Sequence, residues 1–321
     1  MTERPEILAV VGPTASGKSA LALELCRRRN GELVSCDSMQ IYKGMDIGTA
    51  KPTKAEQAEV PHHLIDIAEP EENFSANDYA VAAEQAVRDI LARGRLPVFC
   101  GGTGLYLDAF LRGEESEVPG ADPAVRAELM SQLETSGVDF LHHLLAEVDP
   151  ESAATVHKNN TRRVIRALEI YRVTGVPKSE WDRRSRQRPP RYRAAVIGLR
   201  YADREVLYRR IEGRVDQMIR QGLVEETRAL MERGGFEVSR TAAGAIGYKE
   251  LLPYCRGECG IEDAVNELKA ATRRYAKRQM TWFLAKPYVD WITLNGDETA
   301  GKYEEIVNKS LNAIFGGEIM L

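Results

Sequence analysis

The first patterned stretch of the chain is EILAVV, a short apolar run with β-branched residues that ends at Gly12, after which Lys18 to Arg29 carries apolar residues at helical spacing. This predicts a strand, a loop and a helix. ELVSC predicts a second buried strand, Ser75 is placed to cap an alanine-rich helix over Ala76 to Arg93 that Gly94 ends, and RLPVFCGG predicts another strand running into glycines. Alternation of this kind predicts an α/β fold with a parallel sheet and helices on both faces. From Asp122 to about Trp181 the pattern is helical throughout: DPAVRAELMSQLE with proline just inside its start, then VDFLHHLLAEV, then NTRRVIRALEIYRVTG with Gly175 as a stop. RRSRQRPPRYR reads as a proline-interrupted basic return and AAVIGLR as a strand. Helical patterns continue to Ala285, followed by DWITLN as a last strand and GKYEEIVNKSLNAIF as a closing helix. The expected organisation is a core made of residues 1–113 and 194–321, interrupted by an all-helical insertion over 114–193.

Composition narrows the class. With 321 residues the chain is long enough for a substantial core, and no apolar run approaches the ~20 residues that span a bilayer, so no membrane association and a cytoplasmic location are expected. Five cysteines are an odd number, which argues against a disulfide framework, and the spacing in CRGEC, Cys255 and Cys259, does not suit zinc. His62 with His63 and His142 with His143 are adjacent pairs, and adjacent side chains diverge, so packing or hydrogen bonding is the expected role of all four. The net charge of −4 conceals two basic zones: Lys158 to Arg193 holds twelve Lys and Arg against three acids, and Lys269 to Val289 six against none. Two such zones on an acidic body suit one anionic partner in a groove; for a single such zone solvated helix faces would be the preferred explanation.

Candidate chemistry begins at GPTASGKS. Gly12, Gly17, Lys18 and Ser19 satisfy the phosphate-loop spacing after a predicted strand and before a predicted helix, which makes the core P-loop NTPase-like. The loop Gly12, Pro13, Thr14, Ala15, Ser16 and Gly17 would wrap the anion and turn its backbone N–H groups, those of all but Pro13, toward it, Lys18 would reach its outer phosphate, and the Ser19 hydroxyl suits Mg²⁺. Asp37 follows the second strand and belongs at the carboxyl edge of the sheet, either as an acid facing the ligand or as a cap for Ser38 to Tyr42. Gly101, Gly102 and Gly104 permit close backbone approach, with Thr103 at a third strand end. No N-K-x-D guanine signal is present, and LPVFC ends in Gly-Gly-Thr rather than in a magnesium-holding acid, which weakens a phosphoryl-transfer reading.

These segments, together with DSMQIYKGMDIGTAKP, PHHLID, GGTGLYL, RRVIRALEIYRVTG, VIGLRYADREVLYRRI, AIGYKEL and TRRYAKRQMTWF in this order, resemble the tRNA dimethylallyltransferase (tRNA isopentenyltransferase) family from Gly12 to Phe283. The resemblance implies transfer of a dimethylallyl group from dimethylallyl diphosphate to N6 of the adenosine immediately 3′ of the anticodon, by a monomer acting on tRNA. It implies Asp37 as the base that takes the N6 proton and Thr103 as a positioning group. Lys18, Arg214, Arg278 and Ser19 with Mg²⁺ would stabilise the leaving diphosphate. It further implies tRNA contacts at Ser38, Met39 and Gln40, at Arg162, Arg163 and Arg166, at Gly247, Tyr248 and Lys249, and at Arg274 and Lys277, the helical insertion gripping the anticodon stem. Departures are minor: NNTRRV, Gly244 before AIGYKE, and CRGEC. Kept beside this are a P-loop kinase or free-adenylate prenyltransferase with a small substrate, and an RNA-binding NTPase switch. For Arg166 a surface pairing with Glu169 or Glu151 is the competing expectation.

Overall fold

All five residues of strand β1 (Ile7–Val11) are buried, as a strand covered on both faces requires, and β1 lies inside a six-stranded sheet. The computed structural model describes residues 6–113, 120–187, 190–234, 236, 240–296 and 300–315. The strand order is β3 (His62–His63), β2 (Gly31–Ser35), β4 (Leu96–Gly101), β1, β5 (Ala194–Tyr201) and β6 (Val289–Leu294), and every pair of neighbours is parallel. β6 is an edge, and its burial alternates, with Asp290 and Thr293 exposed between buried Val289, Ile292 and Leu294. The α/β parallel sheet expected from the sequence is present.

The chain divides into two compact units, Met1–Phe110 with Tyr192–Leu321, and Leu111–Arg191. In the first, α1 (Lys18–Arg29) and α14 (Ala300–Phe315) bury Leu21, Leu25, Val307 and Leu311 in one core with β1, β4, β5 and β6. α2 (Lys54–Glu59) and α3 (Ala76–Ala92) each start on a capping box; at α3 the Asp78 N–H donates to Ser75 Oγ at 3.2 Å while Ser75 N–H donates to the Asp78 carboxylate at 2.8 Å. α4 (Gly104–Arg112) follows β4 directly. A second core joins Ile41, Tyr42 and Met45 to buried faces of α9 (Arg204–Arg220), α10 (Leu223–Glu232) and α13 (Ile261–Leu284), with the short α11 (Arg240–Ala243) and α12 (Leu252–Cys255) between the last two.

The second unit is all-helical: α5 (Pro123–Val148), α6 (Pro150–Thr155), α7 (Thr161–Thr174) and α8 (Lys178–Gln187), packed on Leu129, Leu141, Leu145, Val164, Ile165 and Leu168. The two helical patterns expected before α6 are two helical stretches of α5, separated at Gly137, where φ is 80° and the backbone is not helical. The basic return does not begin at Arg183. Helix α8 continues to Gln187 because Glu180 in its first turn pairs with both Arg183 and Arg184, and the prolines stand only at 189 and 190. Gly175 ends α7 in the left-handed conformation, φ 71°, as its position in the pattern implied.

Candidate active site

Three strand ends meet at one edge of the sheet. β1 feeds the loop Gly12–Gly17, β2 ends two residues before Asp37, and β4 ends two residues before Thr103. The β2 and β4 ends are tied together: Thr103 N–H donates to Cys36 O at 3.1 Å, and Ser38 N–H donates to Thr103 Oγ1 at 3.0 Å. Asp37 Oδ1 accepts the Met39 N–H at 2.9 Å. The alternative role for Asp37 was a helix cap, and the bond is of that local type, yet Ser38 to Tyr42 forms turns rather than a helix. Asp37 also lines a cavity of about 450 Å³ with Lys18, Ser19 and Arg214.

The phosphate loop has its strain and its props in view. Ala15 is left-handed, φ 62°, and its carbonyl accepts Arg210 Nε at 2.9 Å. Lys18 Nζ donates to Pro13 O at 3.3 Å. Burial pushes the Lys18 ammonium below its ordinary pKa; the Arg214 charge adds to the push while Cys100 and Asp37 oppose it. Burial likewise lowers Arg214, opposed by Asp37 and reinforced by Arg210. Lys18 and Arg214 thus share a cavity with the Asp37 side chain, and Arg210 lies beside Arg214, a crowding of positive charge that a multiply charged anion would relieve. A second cavity, about 500 Å³, is lined by Ala15, Gly17, Lys18, Ser19, Arg210 and Arg214, so the loop and Arg214 face two spaces at once.

Gln279 is the site residue that sequence reasoning passed over. Buried on α13, its Oε1 accepts the Thr14 N–H at 2.9 Å and its Nε2 donates to Gly102 O at 3.1 Å, cross-linking the phosphate loop to the β4 turn. A Cβ on Gly102 would lie 1.9 Å from that Nε2, and a Cβ on Gly104 2.2 Å from the Trp282 ring. The glycines' close approaches were legible; that α13 is what approaches was not. Tyr275, one turn before Gln279, also lines the first cavity, and its phenol is raised above the ordinary pKa by burial first, with the Asp37 charge adding to it. Arg278 lines the same cavity with its guanidinium 5.6 Å from the Tyr275 ring centroid.

Several expected RNA contacts have other occupations. Gln40 accepts from Ser35 Oγ at 2.8 Å and donates to Thr49 O and Ala50 O, both at 3.2 Å, so its amide braces the 38–50 segment. Tyr248 is fully buried with its hydroxyl on Glu226 at 2.7 Å, so its side chain belongs to the core, while its neighbours Gly247 and Lys249 line the main cavity. Gly247 is buried, with φ +110° and its N–H on Glu250 at 3.0 Å, while Lys249 is exposed. Met39 and Ser38 remain on the cavity wall.

Both basic zones are largely paired, as solvated faces would be. Arg166 binds Glu169 at 2.8 Å, a carboxylate with 0% exposure that also accepts Arg126 and the Asp122 N–H, so the competing expectation of a pairing with Glu169 is the contact that the structure shows. Arg172, Lys178, Arg183 and Arg184 have acidic partners in the same unit; Lys269, Arg273, Arg274 and Lys286 have theirs in the other. Arg162, Arg163 and Lys277 are exposed and make no ion pair among the described residues. Of the histidines, His62 bonds Val60 O, His63 bonds the buried Glu32, and His142 bonds Val156 O. His143 lies beside Glu147. Cys26, Cys36 and Cys100 are buried thiols pushed up to about 12, 12 and 11, chiefly by burial, and all five cysteines are free.

A parallel sheet whose central strand enters a Gly-Lys-Ser loop, with a carboxylate and two arginines near it, defines an α/β protein whose main cavity sets basic side chains beside an acid. Comparison with known proteins carries this further. Residues 40–286 match the family described as IPP transferase, and the chain belongs to that family. It is 50% identical over 307 residues to the tRNA dimethylallyltransferase of Geobacillus thermodenitrificans, covering 95% of this chain and 96% of the relative. Among solved structures it is similar to the full-length tRNA isopentenylpyrophosphate transferase of Bacillus halodurans, at 43% identity and a TM-score of 0.71 with 97% of each chain covered. It is also similar to a eukaryotic dimethylallyltransferase captured acting on tRNA, at 27% identity and a TM-score of 0.80, covering 96% of this chain and 79% of that one.

Proposed function

We infer that this chain transfers a dimethylallyl group to an adenosine of tRNA, from dimethylallyl diphosphate to N6 of the residue immediately 3′ of the anticodon, in the cytoplasm. The observation that carries the chemistry is the cavity in which Asp37 faces Lys18, Ser19 and Arg214. An adenine N6 is a weak nucleophile because its lone pair is delocalised into the ring. Asp37 accepts an N6 proton as the N–C bond forms, and the allylic C–O bond breaks with its electron pair leaving on the diphosphate. Lys18, Arg214 and Arg278, with the loop N–H groups, hold that charge; Arg210 props the loop through Ala15 O. Thr103, fixed by Ser38, keeps the base side of the site in register with Asp37.

The residues fit Mg²⁺ held lightly. No group of three or more His, Cys, Asp or Glu able to hold a metal occurs among the described residues, while the Ser19 hydroxyl is exposed at the first turn of α1 and lines both cavities. One hydroxyl completed by water and diphosphate oxygens is the ligand set that a small hard cation takes. Such an ion would neutralise charge on the leaving group. The adenine must leave the anticodon stack to reach Asp37, and exposed Arg162, Arg163 and Lys277 would bind tRNA phosphates.

Incubation with radiolabelled dimethylallyl diphosphate and unmodified tRNA, followed by nucleoside analysis, tests the proposal. Label at adenosine N6 beside the anticodon is expected. Rapid ATP hydrolysis with an inert allyl donor would overturn it in favour of a phosphoryl-transfer or switch protein.

A further inference from the structure

The segment DIGTAKP walls the main cavity through Gly48, Thr49, Ala50, Lys51 and Pro52, yet it contains neither helix nor strand before α2. Its polar backbone must be satisfied by other bonds. Ala50 and Lys51 N–H close turns on Ile47 O and Asp46 O, and a single carboxylate takes three further N–H groups. Glu226, on α10, accepts the N–H groups of Ile47 at 2.9 Å, Gly48 at 3.1 Å and Asp46 at 3.2 Å, and the Tyr248 hydroxyl at 2.7 Å. A carboxylate offers about four lone-pair sites, and four donors are aimed at this one. The clamp is tight on the far side too: a Cβ on Gly48 would lie 2.6 Å from the Tyr248 ring. From the cavity side Gln40 holds Thr49 O and Ala50 O.

We propose that Glu226 is a positioning residue for the acceptor base: it fixes the wall against which the adenine is aligned, without touching substrate. This rests on the transfer reading above. The charge is essential to the role, because an amide at the same place presents one acceptor oxygen and turns its own N–H groups toward the backbone donors. A loosened wall misplaces N6 relative to the allyl carbon, whereas the phosphate loop, anchored by Gln279 and Arg210, keeps its shape.

The test uses the full chain as wild type, Glu226→Gln and Tyr248→Phe, the last removing only the hydroxyl donor. Three quantities are read: kcat/KM for unmodified tRNA, KM for dimethylallyl diphosphate, and pyrophosphate affinity by calorimetry. Glu226→Gln is expected to lower kcat/KM for tRNA by about 10- to 100-fold, the cost of a displacement of roughly an ångström, with donor KM and pyrophosphate affinity at wild-type values. Tyr248→Phe is expected to show the same selectivity with a smaller loss. Wild-type tRNA kinetics in Glu226→Gln overturns the proposal. So does a parallel loss of pyrophosphate affinity in both variants, which would make Glu226 a support of the whole core. Failure of the transfer reading is distinguishable, since the unsubstituted chain would then leave tRNA unmodified.

Discussion

In the proposed reaction Asp37 would take the N6 proton on a carboxylate whose Oδ1 is already committed to the Met39 N–H. That bond orients the side chain and leaves Oδ2 for the proton of N6. Asp37→Ala is therefore expected to lower kcat by about 10²- to 10⁴-fold while tRNA binding persists; near-wild-type single-turnover rates would remove Asp37 from the mechanism. Lys18 gives a pH signature. Its free-state pKa is depressed by burial, and a bound diphosphate favours the ammonium, so affinity is full while free Lys18 is protonated. It falls as pH rises through the depressed pKa, below the ordinary 10.5. Pyrophosphate titrations across the alkaline range should show that limb in wild type and lose it in Lys18→Met. At this scale Asp37 and Lys18 were legible because strand-end position and loop spacing are local signals. Gln279 was not, because its bond to Gly102 spans 177 residues.

The elements with a clear period were legible, and those without were not. α3, with its Ser75 cap, and α7, with its Gly175 stop, fall where the pattern put them. α4 starts on Gly104 and so reads as loop, β3 is two residues long, and DIGTAKP has no period because a carboxylate 180 residues away shapes it. The junction of β4, α4 and α13 makes a sharp test of packing. Gly102→Ala drives a methyl into the buried Gln279 side chain and Gly104→Ala one into the half-buried Trp282 ring, and each is expected to cost about 1–3 kcal/mol in denaturant unfolding. Gly213→Ala is the opposite case. It lies inside α9 with nothing within 4 Å of a new Cβ, and should stabilise by about 0.5–1 kcal/mol. Equal signs in the three melts would contradict this account of the junction.

For the whole molecule, the question is how a chain of net charge −4 holds a polyanion. Among the described residues no helix is long and apolar enough to cross a membrane. The sequence counted their charges but could not tell which were already paired, because several partners lie in other helices: Arg172 with Glu128, Lys269 with Asp216, Arg273 with Glu212. Pairing divides the arginines of α7 into two kinds. Arg162 and Arg163 are exposed and free of ion pairs among the described residues, so neutralising both should weaken tRNA binding and reduce its salt slope by roughly one unit per lost phosphate contact, with little change in turnover at saturating tRNA. Arg166 holds the fully buried Glu169, which Arg126 and the Asp122 N–H also grip. Arg166→Ala should then cost stability, about 1–3 kcal/mol for a buried carboxylate left short of a partner, and leave the salt slope in place. Filter binding across a salt series beside thermal melts separates the two effects. A slope that moves with Arg166 and not with Arg162 and Arg163 would reverse the assignment and make the buried pair part of the RNA surface.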